Sequence, residues 1–281
     1  TGKAVAPGFI NVLSWANLSL IADGRGMSDL KQGVTLEIMG EGESGGPLND
    51  AMKADILQHQ GDIKYPIDWT TLGEFLDSLV RRGISLNVAS FVGATSVRVY
   101  VLGEDDRDPT PAELARMQDL VRQAMREGAL GVGSSLIYAP AFFAETPELI
   151  ALAQAAAESG GGYVSHVRNE SHRLEAAIDE LIEICAQRGI DLMAAGEANW
   201  GNMARAIAKI EEARRQGVAV SANMYTYTAG STGFDAAMPL WVQAGGLPRA
   251  WVGLLPSAAR ALAGLTLAPA LTFTRGTPSF D

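Results

Sequence analysis

The chain has 281 residues, 47% of them hydrophobic, which is enough for one large α/β domain or two small ones with a substantial core. Its formal net charge of −10 argues against nucleic acid or an anionic membrane surface as a partner. The single cysteine, Cys185, excludes an internal disulfide, and no apolar run reaches the roughly 18 residues that a membrane span needs.

The first residue is Thr1, and an apolar run typical of a strand begins as early as Phe9. We therefore expect the chain to begin part-way through a longer protein, so that any targeting signal would lie upstream. The expected location is cytoplasmic.

Six apolar runs are typical of β-strands, and several are continuous rather than alternating, as expected for strands buried on both faces. The predicted strands are residues 9–13, 35–39, 86–91, 130–134, 163–167 and 218–224.

Helical patterns fall between these runs. Residues 69–82 carry apolar side chains at helical spacing. Thr110, Pro111 and Glu113 form a capping-box start for a helix that should stop at Gly128. Further helices are predicted from Thr146, over 174–188 and over 203–216.

Strand, helix and glycine repeat in this order often enough to predict one parallel sheet with right-handed crossovers. A (β/α)8 TIM-type barrel is the leading architecture. A doubly wound sheet is the alternative, and its Rossmann version lacks the glycine fingerprint after the first strand. The connection over residues 40–69 is too long for a turn and predicts a functional loop or an insertion.

Two regions depart from the pattern. Residues 190–193 form a very short apolar run where a full strand is due. After about Gly246 the composition changes, and no acidic residue occurs between Arg249 and the terminal Asp281. We therefore predict an amidohydrolase-like barrel over residues 1–247 and an atypical tail over 248–281, with the sixth strand shortened and the eighth missing or replaced.

Five motifs in order carry a family resemblance: residues 7–11 (PGFIN), 33–35 (GVT), 136–140 (LIYAP), 165–170 (SHVRNE) and 225–232 (YTYTAGST). Over roughly residues 5–247 the chain resembles the N-acyl-D-amino-acid deacylase (D-aminoacylase) branch of the amidohydrolase superfamily. The resemblance implies a zinc-dependent hydrolase that cleaves the amide of a small N-acyl-D-amino acid or of a related N-acyl compound. It also implies a metal-activated water as nucleophile and an aspartate as general base.

The family's metal ligands carry over only in part. His166 matches the histidine ligand of the fifth strand, and Glu41 takes the place of a cysteine after the second strand. The His-x-His of the first strand would fall at residues 13–15, where neither histidine is present. A second histidine ligand is missing near Leu192, and no acidic residue lies beyond Met238 except Asp281. The resemblance therefore implies a partial copy with impaired activity and no identified catalytic base.

Each candidate residue also has a structural interpretation. His166 could be a core histidine, and Glu41 a solvated loop acid. The predicted substrate-binding residues are Arg168, Tyr138, Tyr225 and Ser231. Arg168 could instead pair with Glu170 or Glu197, Tyr138 could simply pack, and Ser231 could belong to a glycine-rich turn.

We expect the site residues that follow strands to meet at the C-terminal end of one sheet, where barrel chemistry takes place. Two other function classes stay open. One is a metal-free binding barrel, and the other is a poorly folding product with its last strand missing and two sheet edges exposed.

Overall fold

The computed structural model describes residues 4–170, 172–186, 192–195, 203–223, 229–233 and 270–274. The predicted α/β class is confirmed. The strands are β1 (Phe9–Asn11), β2 (Val34–Met39), β3 (Asn87–Ser90), β4 (Val92–Gly93), β5 (Gly131–Ser135), β6 (Gly162–His166), β7 (Leu192–Ala195), β8 (Val220–Asn223), β9 (Ala229–Gly233) and β10 (Ala270–Thr274).

Helices lie between the strands, as the sequence pattern predicts. They are α1 (Asn17–Ala22), α2 (Met27–Leu30), α3 (Asp50–His59), α4 (Leu72–Arg82), α5 (Ala94–Leu102), α6 (Pro111–Arg126), α7 (Thr146–Ala157), α8 (Leu174–Ala186) and α9 (Met203–Arg215), with a short 3₁₀ turn at Ala141–Phe143. The capping box of α6 is present: the Thr110 hydroxyl accepts the Glu113 N–H, and Glu113 accepts the Thr110 N–H.

Every pairing among β1 to β8 is parallel, and the strands are neighbours in chain order. The ladder is nevertheless divided into a three-stranded sheet, β1-β2-β3, and a five-stranded sheet, β4-β5-β6-β7-β8. The expectation of one continuous sheet is wrong in this respect.

The division falls inside the single strand predicted over residues 86–91. Its first half pairs with β2, and the residues after Phe91 pair with β5. Phe91 N–H still donates to the Met39 carbonyl, and Leu130 N–H to the Ser90 carbonyl, so the two sheets meet through this peptide. The cause is stagger, since neighbouring strands of a curved parallel sheet are offset along their length.

The connection over residues 40–69 is not one loop, because it contains the ten-residue helix α3, capped by the Asn49 side chain. The short run at residues 192–195 does form a strand, β7, which pairs with β6 and β8. Of the predicted tail, the structure describes only β10, which pairs antiparallel with β9.

The core lies between the strands and the helices that pack on them. All five residues of β5 are buried. Cys185 of α8 lies in this core. Among the described helices, none is long and apolar enough to cross a bilayer. The best-buried large side chains are Tyr163, Phe75, Met39, Leu72, Leu79, Met117, Leu136, Leu149, Leu152, Leu181 and Ile184.

Candidate functional site

The site is built at the C-terminal ends of β2 and β6. Glu41 follows β2 by two residues and is only 3% exposed, and His166 is the last residue of β6. The two side chains are close enough for each charge to shift the pKa of the other. The structure thus brings together the two residues that the sequence singled out as metal ligands.

Glycines hold the loop after β2 against the sheet. Gly40 and Gly42 both have positive φ, +96° and +81°, a region that side chains with a Cβ rarely adopt. Gly133 of β5 leaves room for the Glu41 backbone, because a Cβ at residue 133 would lie 3.0 Å from the Glu41 Cα. The Thr95 N–H at the start of α5 donates to the Gly42 carbonyl at 3.0 Å.

Ser44 fixes the far side of the same loop. Its hydroxyl accepts the Gly93 N–H at 2.9 Å and donates to the Gly46 carbonyl, while its own N–H donates to the Ser96 hydroxyl at 3.0 Å. The carboxylate of Glu41 is therefore presented by a backbone that is tied to both β4 and α5.

Burial sets the protonation of Glu41. Removal from water raises the pKa of its carboxyl, the charge of His166 lowers it, and the charge of Glu170 raises it, so that the pKa comes to about 7. One carboxylate oxygen, Oε1, is buried and has no hydrogen-bond partner among the described residues. Such an oxygen is costly to leave unpaired, which points to a cation or a donor at this position.

His166 is held by its neighbours. Its Nε2 lies 3.0 Å from Glu170 Oε1, and its ring centroid lies 5.9 Å from that of Tyr138. Burial lowers the pKa of His166, but the hydrogen bond that its ring donates to Glu170 and the charges of Glu170 and Glu41 outweigh burial, so the pKa is raised overall. Glu170 is therefore a partner of His166. Because residues 167–170 are not helical, the sequence carries no spacing signal for this contact.

Arg168 lies beside the site but makes structural contacts. Its guanidinium donates to Glu180 at 2.8 and 2.9 Å and to the carbonyls of Phe142 (2.6 Å) and Ala144 (2.7 Å). It also lies over the Phe142 ring, 5.3 Å from the centroid. The ion-pair partner of Arg168 is thus Glu180, whereas the sequence suggests Glu170 or Glu197. A substrate-binding role for Arg168 stays a prediction.

The remaining predicted residues are located only in part. Tyr138 does lie beside His166. Tyr225 and Glu197 lie outside the described residues, as does the side chain of Ser231, whose backbone belongs to β9.

Sequence reasoning missed one further residue. Ser135, at the end of β5, is the ladder partner of His166, and its hydroxyl is buried without a partner among the described residues. Only the register between the two strands could have identified it.

The described residues supply an incomplete metal site. No group of three or more His, Cys, Asp or Glu side chains among them is arranged to hold a metal ion. Glu41 and His166, one carboxylate and one imidazole, are both ordinary zinc ligands. The donors present therefore suit zinc in type, but they fall short of the three protein ligands that a catalytic site uses.

Curated relatives cover most of the chain, although no family model matches it. It is 31% identical over 241 residues to an N-acyl-D-glutamate deacylase from Alcaligenes xylosoxydans xylosoxydans, a match that covers 82% of this chain and 48% of the relative. It is also 31% identical over 242 residues to a D-aminoacylase of the same organism, covering 83% and 49%. The chain thus spans about half the length of the curated relatives it matches.

Solved structures of deacylases are also similar to most of this chain. An N-acyl-D-glutamate deacylase from Bordetella bronchiseptica, complexed with zinc and a phosphonate mimic of the tetrahedral intermediate, superposes with a TM-score of 0.72 at 30% identity over 81% of this chain and 49% of that one. A D-aminoacylase that defines a novel subset of amidohydrolases gives 0.71 at 28% identity over the same shares. Another D-aminoacylase structure concerns a binuclear metal centre with one-metal activation and second-metal attenuation.

Proposed function

We infer that this chain, a homologue of the N-acyl-D-amino-acid deacylases of the amidohydrolase superfamily over about four-fifths of its length, carries the metal-binding half of an amidohydrolase site. The observation that carries this proposal is the pairing of buried Glu41 with His166 at the C-terminal ends of parallel strands. Barrel enzymes place their chemistry at this end.

The proposed architecture is a (β/α)8 barrel of which this chain provides seven strands. Counting β3 and β4 as one staggered strand, β1 to β8 run parallel in chain order, as the first seven strands of such a barrel would. We propose that residues 1–247 belong to this barrel and that residues 248–281 form an atypical tail, whose β10 pairs with β9.

The proposed reaction is hydrolysis of the amide bond of an N-acyl-D-amino acid. The named relatives act on substrates of this class, as N-acyl-D-glutamate deacylase and D-aminoacylase. The proposed partner is therefore a small molecule, with a cytoplasmic location and neither nucleic acid nor membrane involved.

Glu41 and His166 would hold the zinc ion. When bound, zinc would supply a water acidic enough to attack the amide carbonyl at neutral pH. Glu170, 3.0 Å from His166 Nε2, would hold the orientation of the His166 ring, and the glycine loop would hold Glu41 in place. Tyr138 beside His166, and Tyr225, Ser231 and Arg168 by resemblance, are proposed to contact the substrate.

We propose that the hydrolytic activity of this chain is impaired. The described residues offer two of about three zinc ligands, and no general base is identified. Loss of a general base alone typically costs about 10²–10⁴ in rate. A second candidate, a metal-free barrel that binds N-acyl compounds without hydrolysing them, is favoured by the same incomplete ligand set.

Zinc content and hydrolysis test the proposal together. The full chain is loaded with zinc, dialysed and assayed by elemental analysis and against a panel of N-acetyl-D-amino acids. We expect His166→Ala and Glu41→Ala to lose zinc and turnover, whereas His59→Ala, which changes an exposed histidine of α3, leaves both unchanged. Zinc and turnover that persist in His166→Ala would contradict the site. If the chain binds the substrates but holds no zinc, the result supports the second candidate, the metal-free barrel.

A further inference from the structure

Ser135 carries a hydroxyl that the fold buries without using. The residue is 4% exposed, and its Oγ has no hydrogen-bond partner among the described residues. A buried hydroxyl without a partner destabilises the folded chain, so a site that keeps one usually keeps it for a ligand. The adjacent Ser134 provides the contrast, because its hydroxyl lies 2.5 Å from Tyr163 Oη and donates to Ser165 Oγ at 2.8 Å.

Strand register places Ser135 on the site face. Successive side chains of a strand point to opposite faces, so Ser134 and Ser135 diverge. Ser134 pairs with Ser165 and joins the Tyr163 network, whereas Ser135 pairs with His166. A Cβ built on Gly42 would lie 2.7 Å from the Ser135 Cβ, so Ser135 also faces the loop that carries Glu41.

The chemistry of the site assigns this hydroxyl a partner. Glu41 and Glu170 bring carboxylates, which accept hydrogen bonds when ionised, and the donors of Arg168 are directed at Glu180 and backbone carbonyls. A scissile amide brought to Glu41 and His166 presents a carbonyl oxygen, which accepts hydrogen bonds and gains negative charge as water attacks. Ser135 offers the donor that such an oxygen needs.

We propose that Ser135 is a substrate-contacting residue whose hydroxyl donates a hydrogen bond to the carbonyl oxygen of the scissile amide. This inference rests on the proposed hydrolase function and adds to it a residue that neither the ligand set nor the sequence motifs assign. Because the hydroxyl supports no contact within the described part of the chain, its removal should affect ligand binding and turnover without weakening the fold.

The test compares two neighbouring serines of one strand. Ser135→Ala and Ser134→Ala are made in the full chain, and each is measured for melting temperature, kcat/KM on an N-acetyl-D-amino acid, and affinity for a phosphonate analogue of that compound by calorimetry. For Ser135→Ala we expect an unchanged or higher melting temperature, a fall in kcat/KM of about 10²-fold, and weaker phosphonate binding. For Ser134→Ala we expect a lower melting temperature with nearly unchanged binding.

Each outcome decides the matter. Equal kcat/KM and phosphonate affinity in Ser135→Ala and the unaltered chain would overturn the role of Ser135 while the hydrolase function stands. A melting temperature that falls as far in Ser135→Ala as in Ser134→Ala would also overturn it, because the hydroxyl would then serve folding. An unaltered chain that neither hydrolyses the amide nor binds the phosphonate would overturn the proposed function, and this inference with it.

Discussion

Gly133 lies directly against the backbone of Glu41: a Cβ atom at residue 133 would come within 3.0 Å of the Glu41 Cα and would collide with the Gly40 carbonyl oxygen. The position of the Glu41 carboxylate therefore depends on Gly133, a residue 92 positions later in the sequence. The Glu41 loop can pack on β5 only because Gly133 has no side chain.

We predict that Gly133→Ala displaces Glu41 and weakens zinc binding by tenfold or more, with an overpacking cost of about 1–3 kcal/mol in the free energy of unfolding. The measurements are a zinc titration and urea denaturation. Gly61→Ala is the matched control, because a Cβ there would meet no atom within 4 Å, and it should change neither quantity. If Gly133→Ala left the zinc affinity unaltered, metal binding would not depend on the position of Glu41, and the prediction would be wrong.

The buried carboxyl of Glu41 makes the stability of the metal-free chain depend on pH. Its pKa rises from 4.5 to about 7 on folding, so the folded state binds more protons than the unfolded state between these values. Stability is then greatest below about pH 4.5 and falls as pH rises toward 7. His166, whose pKa is raised as well, acts in the same direction above its unfolded value of 6.5.

With a chelator present, the free energy of unfolding of the unaltered chain should fall between pH 5 and pH 8. We expect Glu41→Gln to reduce that fall by on the order of 3 kcal/mol. Urea denaturation at both pH values gives the comparison. Bound zinc should oppose the same loss in the unaltered chain, since it favours the ionised carboxylate. An equal slope in Glu41→Gln would mean that Glu41 is solvated rather than buried.

Local patterns predicted much of this fold from the sequence. Continuous apolar runs identified the strands, and Thr110 with Glu113 fixed the start of α6, because both signals act within a few residues. The sequence predicts that Glu41 and His166 lie at one end of the sheet because both follow or end a predicted strand. Their role as a ligand pair comes only from the family resemblance.

Relationships set by register and helix orientation could not be predicted in this way. The stagger that divides the ladder at Phe91 depends on two neighbouring strands. The unpaired hydroxyl of Ser135 depends on its alignment with His166. The partner of Arg168, Glu180, depends on which face of α8 turns toward the sheet. The sequence suggests only Glu170 and Glu197.

The contacts of Arg168 predict that it stabilises the fold, whether or not it also contacts the substrate. We expect Arg168→Ala to cost about 2–4 kcal/mol, because it leaves the partly buried Glu180 without its cation and two carbonyls without donors. Arg25→Ala, which breaks an exposed and solvent-screened pair with Asp23, should leave the unfolding temperature nearly unchanged. Thermal unfolding compares the two. A stable Arg168→Ala chain with a raised KM would restore the substrate-binding interpretation.

The pair Arg98–Glu148 joins α5 to α7 in the interior, where the side chains are 1% and 3% exposed. Arg98 also donates to the carbonyls of Arg107, at 2.6 Å, and Asp105, at 3.2 Å. Because α5 begins beside the Gly42 carbonyl, this pair also anchors the helix against which the Glu41 loop rests.

Glu148→Gln should therefore cost about 3–5 kcal/mol, since it leaves the Arg98 charge buried and uncompensated, and it should weaken zinc binding through the displaced helix α5. The double change Arg98→Met with Glu148→Leu removes both charges and should recover most of the stability, because apolar replacement of a buried pair is often neutral. Urea denaturation of the single and double variants, with a zinc titration on each, tests both parts. A single variant as stable as the unaltered chain would show that the pair is not buried in solution. A double variant that regains stability but not zinc affinity would show that α5 needs Arg98 itself to hold the loop in place.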